Sequence, residues 1–445
     1  MQKTSRSAAR RGLSTSSVSQ AVLIPRPDYN MRHFRKKRAL CLALTGTLLL
    51  LSLMLTRTCI LNLRDTALSV VAQARSPLAA VRPLAGGLRF LDHLFQGHVT
   101  PAARRCQPVH NVAFVKTHKA GSSTIANILQ RYGLTHNLNF ALPNTRSHVY
   151  AYNYISKPGE TLSKEKIVPL GAGQDYNILF NHAIYNRTAF RSIMPANTSY
   201  ITILREPFQQ FVSAFEYYHV ERTFAVSNAD ILNDSNPIAT YLAQPIKYER
   251  GVSYFSYIRN KQAEDLGMGR AELFSAAKER AYISQMDQDF SLVMIMEYFD
   301  ESLLLLKRQL CWDIKDVLYI PKNTNKHKPD RNFTSLDYQR HRNISHLDYS
   351  LYTHYLAIFT HKLHSLGRDF HQELDNFRWL LGQVKHSCLQ RTSLRVGETK
   401  WHGPFEVDQT DCTLMLITEL AGLDKLFARV GRSIRGRVHS GRRPS

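Results

Sequence analysis

The sequence predicts an α/β fold with a mostly parallel sheet, preceded by one transmembrane helix, and three observations carry that prediction. From residue 111 to about 312, short apolar runs of strand length alternate with amphipathic helical segments, the pattern of parallel strands joined by crossover helices. The first run leads into a loop of lysines, hydroxyls and a glycine, Lys116 to Thr124, which opens a helix; N–H groups at a helix start attract anions. Residues 39–56 form an uncharged stretch that meets the lower length limit for a membrane span.

Taken in order, residues 1–38 form a basic tail whose only acid is Asp28. Its charges, Arg32, Arg35, Lys36, Lys37 and Arg38 above all, outweigh Arg57 and Arg64 beyond the span, so the positive-inside rule places this tail in the cytosol and the rest in a lumen. A cleaved signal peptide is the alternative, but the preceding tail is long and no clear small-residue cleavage site follows. A span this short suits the thinner membranes of the early secretory pathway. Residues 57–106, punctuated by proline and glycine, read as a stem. A globular domain is expected over 107–427, and a basic disordered tail over 428–445.

Within the domain the expected elements are strand 111–116, helix 123–132, strand 176–180, strand 200–204, helix 207–219, strand 291–296 and helix 301–312. Ile125, Ile128, Leu129 and Tyr132 fall on one buried helical stripe, with Gly133 as its C-terminal stop. Phe208, Phe211, Val212 and Phe215 make a second stripe, opened by Pro207. Residues 141–175 and 221–250 read as insertions or loops around the site.

The formal charge of +23 invites a nucleic-acid reading, but much of the excess sits on the two tails, so no nucleic-acid partner is expected; the remainder suits a polyanionic ligand. Glycosylation triplets begin at Asn186, Asn197, Asn233, Asn332 and Asn343, all on the lumenal side. Cys106, Cys311, Cys388 and Cys412 form an even set, compatible with two disulfides in any of three connectivities. Cys41 lies in the span and Cys59 just beyond it. His354, His361, His364 and His371 share one helical side, but seven-residue separations put rings about 10 Å apart at 1.5 Å rise per residue. No metal is predicted.

The loop lacks the common nucleotide pattern G-x-x-x-x-G-K-[ST]. Its own run, Lys116, Thr117, His118, Lys119, Ala120, Gly121, Ser122, Ser123, Thr124, resembles the 5′-phosphosulfate loop of sulfotransferases, and KTHK followed by a small pair and SST is similar to the galactose 3-O-sulfotransferase family, which includes the galactosylceramide enzyme. About ninety residues on, Arg205 ends a strand before Glu206 and Pro207, with Ser213 eight residues after the arginine; this resembles the family's 3′-phosphate-binding element. Asn181-His182 resembles its N-H dipeptide near the acceptor, and the segment from Asp348 to Tyr352 resembles its D-x-x-L-Y stretch, where helical packing is the favoured role.

The resemblance spans roughly residues 107–390. It implies a parallel-sheet sulfotransferase fold similar to that of P-loop nucleotide-binding proteins, acting in the Golgi as a single-pass type II membrane protein. It also implies sulfate transfer from 3′-phosphoadenosine 5′-phosphosulfate to the 3-hydroxyl of terminal β-galactose on a glycolipid or glycoprotein glycan. Lys116, Thr117, Lys119, Gly121, Ser122, Ser123, Thr124, Arg205 and Ser213 would hold the donor. Lys116 and Lys119 would also neutralise the leaving group, while His118, or second to it His182, would take the acceptor's proton. A homodimer is compatible with this reading. The alternatives are a sulfotransferase for glycosaminoglycans or another sugar position, and a noncatalytic lumenal glycan-binding protein on the same fold.

Overall fold

The apolar runs pair side by side as the alternation requires. In the computed structural model, which describes residues 106–144, 153–225, 229–250, 256–321 and 331–440, four strands form one sheet in the order β2-β1-β3-β4: β1 Val112–Val115, β2 Ile178–Leu179, β3 Ser199–Leu204 and β4 Phe290–Ile295. Every pairing is parallel, with Val112 opposite both Ile178 and Ser199. Strand β1 is buried throughout and β3 at every position but Ser199, as continuous apolar strands covered on both faces should be. The expected cytosolic tail, membrane span and stem up to residue 105, with Cys41 and Cys59, lie outside the described residues. Among those described, no helix is long and apolar enough to cross a membrane.

The chain passes from β1 to β2 on one side and then to β3 on the other, so the order reverses around β1. In open parallel sheets the crevice at such a switch point, outside the carboxyl ends of the strands, is where ligands bind. The loops after β1 and β3 both emerge there.

Helix α1, Ser122–Thr135, follows β1 and buries Ile125, Ile128, Leu129 and Tyr132. It does not stop at Gly133, which lies within it. That glycine is a packing residue: a Cβ there would come 2.2 Å from the Phe140 ring and 2.9 Å from Ile178. Helix α2, Pro207–Tyr217, buries Phe208, Phe211 and Phe215. Its start is capped by the Glu206 carboxylate, which accepts from the N–H groups of Phe208 and Gln209. These rings seed a second core with Phe224, Tyr241 and Tyr248, built from short helices at Val220–Ala225, Pro237–Ala243 and Pro245–Glu249. Residues 221–250 are therefore largely helical rather than loop; prolines at helix starts and Asn236 as a cap supply the local signals.

A short helix, α3 (Lys261–Asp265), precedes β4, and α4 (Phe299–Leu310) follows it. Beyond lie α5 (His346–Ser365) and α6 (Gly367–Gln390), then an antiparallel pair, β5 (Leu394–Val396) with β6 (Phe405–Val407), then α7 (Gln409–Leu416) and α8 (Glu419–Ser440). The expected domain end at 427 falls inside α8. The helical side expected to carry four histidines is broken at Gly367, whose φ of 67° separates His371 from the rest; His354 instead pairs with Asp287 at 2.9 Å. No group of side chains among the described residues could hold a metal.

Two disulfides resolve the open connectivity. Cys106 joins Cys311, tying the segment before β1 to the end of α4, and Cys388 joins Cys412, tying α6 to α7. The first closes a separation of 205 residues, the kind of long loop whose closure restricts the unfolded chain most. The five triplet asparagines, Asn186, Asn197, Asn233, Asn332 and Asn343, are all exposed.

Candidate active site

The loop after β1 is shaped by two left-handed residues, Lys119 at φ 61° and Gly121 at φ 77°. At Gly121 a side chain is excluded twice: by its backbone conformation and because a Cβ would lie 2.4 Å from the Met296 sulfur. The glycine offers no side-chain cap to α1, so the helix start faces the crevice with its N–H groups and positive dipole end.

Several loop side chains are spent on the loop itself. Thr117 donates to the Ile203 carbonyl of β3, and Ser122 donates to the Thr117 carbonyl at 2.7 Å. Ser123 donates to the Glu419 carboxylate at 3.0 Å. Lys116 is almost completely buried and forms an ion pair with that same carboxylate, which arrives from the first residue of α8. Thr124 is half-buried in the first turn of α1.

Lys119 and Arg205 meet at the switch point. An Arg205 guanidinium N–H donates to the Lys119 carbonyl at 3.1 Å, while Gln262 of α3 clamps the Arg205 backbone, accepting from its N–H at 2.7 Å and donating to its carbonyl at 2.9 Å. Burial and the neighbouring guanidinium pull the Lys119 ammonium down to about 8. Its Nζ lies 3.4 Å from the centre of the Tyr217 ring. Within the described residues neither cation forms an ion pair with an acid. Ser213, two turns along α2, is partly exposed and forms no hydrogen bond among the described residues.

His118 points to the other side of the loop. Its backbone N–H donates to Asp265 at 2.8 Å, its Nδ1 lies 2.7 and 2.9 Å from the two Asp265 oxygens, and its Nε2 lies 2.9 Å from the Tyr154 hydroxyl. His182, just past β2, stacks on the His118 ring with centroids 4.1 Å apart. Burial lowers both imidazoles below the ordinary value, His182 more strongly; for His118 the Asp265 charge opposes it. Both line a narrow, half-open cleft with Tyr154, Lys157, Glu160 and Lys261. Beside it, both amide atoms of Asn181 are buried without a hydrogen-bond partner among the described residues, while the His182 ring lies against the Lys116 backbone.

The structure thus gathers Lys116, His118, Lys119, Gly121, the serines of the loop, Arg205 and His182 around one switch point, and places Ser213 two turns along the helix that follows Arg205. Sequence reasoning missed Asp265, Lys261, Tyr154, Gln262 and Glu419. Asp348, in the D-x-x-L-Y stretch, turns out to support this group: it is buried and accepts from the Ala263 N–H at 2.7 Å, fixing the helix that carries Asp265.

Fold and site place the protein in the class of α/β proteins with a strand-loop-helix at the switch point of a parallel sheet. A model of the family described as galactose-3-O-sulfotransferase matches residues 31–403, and the chain belongs to that family, a family of transferases. It is similar to the galactosylceramide sulfotransferase of Mus musculus, at 33% identity over 297 residues, 65% of this chain and 67% of that one. Against the Homo sapiens galactosylceramide sulfotransferase it is 35% identical over 271 residues, 60% of this chain and 61%, less than two thirds, of the relative. Against galactose-3-O-sulfotransferase 2 of Mus musculus it is 32% identical over 289 residues, 64% and 71% of the two chains.

Proposed function

We propose that this protein transfers sulfate from 3′-phosphoadenosine 5′-phosphosulfate to the 3-hydroxyl of a terminal β-linked galactose on a glycolipid or glycoprotein glycan. In this reading residues 39–56 anchor it in the Golgi membrane with the catalytic domain in the lumen. One observation supports donor binding above the others: Lys119 and Arg205 are held together, partly buried, against their mutual repulsion; Glu206 and Glu297 lie near enough to favour the Arg205 charge but, among the described residues, no acid comes within ion-pair distance of either cation. Such a pair is stabilised when an anion joins it, and the uncapped start of α1 beside it suits the same ligand. Family membership supports the identity of the anion.

The donor, when bound, supplies an activated sulfuryl group and a phosphate leaving group. Lys119 and the N–H groups at the start of α1, with Lys116, Thr117, Gly121, Ser122, Ser123 and Thr124 around them, are assigned to its 5′ end. Arg205, aided by Ser213, is assigned to the 3′-phosphate. As in phosphoryl transfer, the protein's work is positioning and charge stabilisation. His118 takes the proton of the attacking hydroxyl, an imidazole kept neutral by burial being ready to accept it; His182 is the second candidate. The unpartnered amide atoms of Asn181 suit a sugar hydroxyl, since leaving each unsatisfied costs about 1–3 kcal/mol.

Lys157 and Lys261 in the cleft are balanced by Glu160 and Asp265, a lining that suits a neutral sugar better than a polyanionic glycosaminoglycan. Calorimetric titration of the full-length chain with 3′-phosphoadenosine 5′-phosphate tests the donor assignment. Binding that is lost in Arg205→Ala is expected; no binding to the wild type would discredit every sulfotransferase reading and leave the noncatalytic one.

A further inference from the structure

Asp265 does more with His118 than an anchor for a loop requires. A single bond to the His118 backbone N–H would fix the main chain, yet the same carboxylate also meets the ring at Nδ1 with both of its oxygens. The carboxylate is itself buried and held by Lys261, whose Nζ is 3.1 Å away. Burial alone would push its proton affinity up, but His118 and Lys261 outweigh that and keep it below the ordinary carboxylate value. An ionised carboxylate can only accept, so Nδ1 carries the proton. Nε2 is then the bare nitrogen, and it accepts from the Tyr154 hydroxyl on the cleft side.

We propose that Asp265 is a positioning residue that fixes His118 as its Nδ1–H tautomer, directing Nε2 into the acceptor cleft as the proton-accepting atom. The inference rests on the assignment of His118 as base in the proposed function. In the transfer step the acceptor hydroxyl replaces Tyr154 as the donor to Nε2 of His118, its O–H bond breaks and its proton passes to that nitrogen. The acceptor oxygen forms the new bond to sulfur, while the bonding pair of the old sulfur–oxygen bond leaves with the phosphate. The imidazolium so formed faces the Asp265 carboxylate through Nδ1–H, which stabilises it as charge develops. The neighbouring Lys261 and Lys116 disfavour the imidazolium, and His182, Tyr154, Tyr218 and Tyr257 lie around the ring; among the described residues Asp265 is the acid that contacts it.

The test compares Asp265→Asn, His118→Ala and the double variant of the full-length chain in a sulfate-transfer assay, with binding of 3′-phosphoadenosine 5′-phosphate measured beside it. Asparagine can donate to Nδ1 and so favours the wrong tautomer. Turnover is expected to fall about 100-fold or more in Asp265→Asn, with nucleotide affinity within about twofold. Its residual activity should show an acid limb moved to lower pH, because the charge that raises the His118 proton affinity has gone. The double variant should be no worse than His118→Ala, as expected for groups acting as a unit. Losses that multiply, or weakened nucleotide binding with turnover kept, would overturn the proposal and leave Asp265 as a loop anchor. Normal turnover in His118→Ala would overturn the base assignment, and with it this inference, while intact nucleotide binding would leave the donor reading standing. If Asp265→Asn does not fold, ¹⁵N shifts of the His118 ring in the wild type decide the tautomer: a proton on Nδ1 is expected, and a proton on Nε2 overturns the proposal.

Discussion

Lys119 gives the donor site a pH dependence that can be worked from its surroundings. Burial and the adjacent Arg205 bring its proton affinity down to about 8, so it is charged below that value and neutral above it. A polyanion binds the charged form, so affinity should be full below pH 8 and decline as the pH rises through it. With a transition at 8, the charged fraction falls about tenfold between pH 7 and pH 9, a loss of about 1.4 kcal/mol if the neutral form contributes nothing. The assay is calorimetric titration of the full-length chain with 3′-phosphoadenosine 5′-phosphate at pH 7, 8 and 9, repeated on Lys119→Arg and Lys119→Gln. Arginine stays charged throughout and should flatten the curve. Glutamine should bind at pH 7 about as weakly as the wild type does well above pH 8. A wild-type affinity that does not move with pH, or a slope surviving in Lys119→Arg, would show that Lys119 does not face the donor.

Three further perturbations probe the scaffold of the site. Gly121→Ala must adopt φ 77° and displace Met296; a loss of about 2–3 kcal/mol is expected from backbone strain and overpacking together, visible as a lower melting temperature, and an unchanged one would contradict the loop's geometry. Glu419→Gln removes the charge that pairs with Lys116, so the free protein should melt lower while nucleotide binding tightens several-fold as Lys116 becomes available; unchanged binding would remove Lys116 from the donor site. Asp348→Ala removes the acceptor for the Ala263 N–H, costing about 1–3 kcal/mol and lowering turnover more than nucleotide affinity. Because burial raises the Asp348 carboxyl to about 7, its contribution is fully present below the ordinary carboxylate range, declines as pH rises from there to about 7 and is lost above it, and Asp348→Asn should lose that slope in melting temperature.

The strands, the first helix and the loop between them were legible because their signals are local: β1 and α1 are adjacent in sequence, and the stripe from Ile125 to Tyr132 repeats at the helical period. Gly133 was misjudged because its reason is tertiary; Phe140 and Ile178 crowd it, and one sequence shows no such contact. The partners of the chemistry were illegible for the same reason. Asp265 meets His118 across 147 positions, from a helix of five residues too short to show a period. Glu419 meets Lys116 across 303 positions. Cys106 and Cys311 were readable as members of an even set, but their pairing depends on α4 returning to the start of the domain.

The central claim is tested most directly by incubating the full-length chain with radiolabelled 3′-phosphoadenosine 5′-phosphosulfate and a panel of β-galactosides, alongside heparan chains, and determining the linkage of the product. Sulfate on the 3-hydroxyl of terminal galactose, abolished in Arg205→Ala, is the predicted result. Transfer to a glycosaminoglycan or to another hydroxyl, or no transfer from a chain that binds the nucleotide, would contradict it.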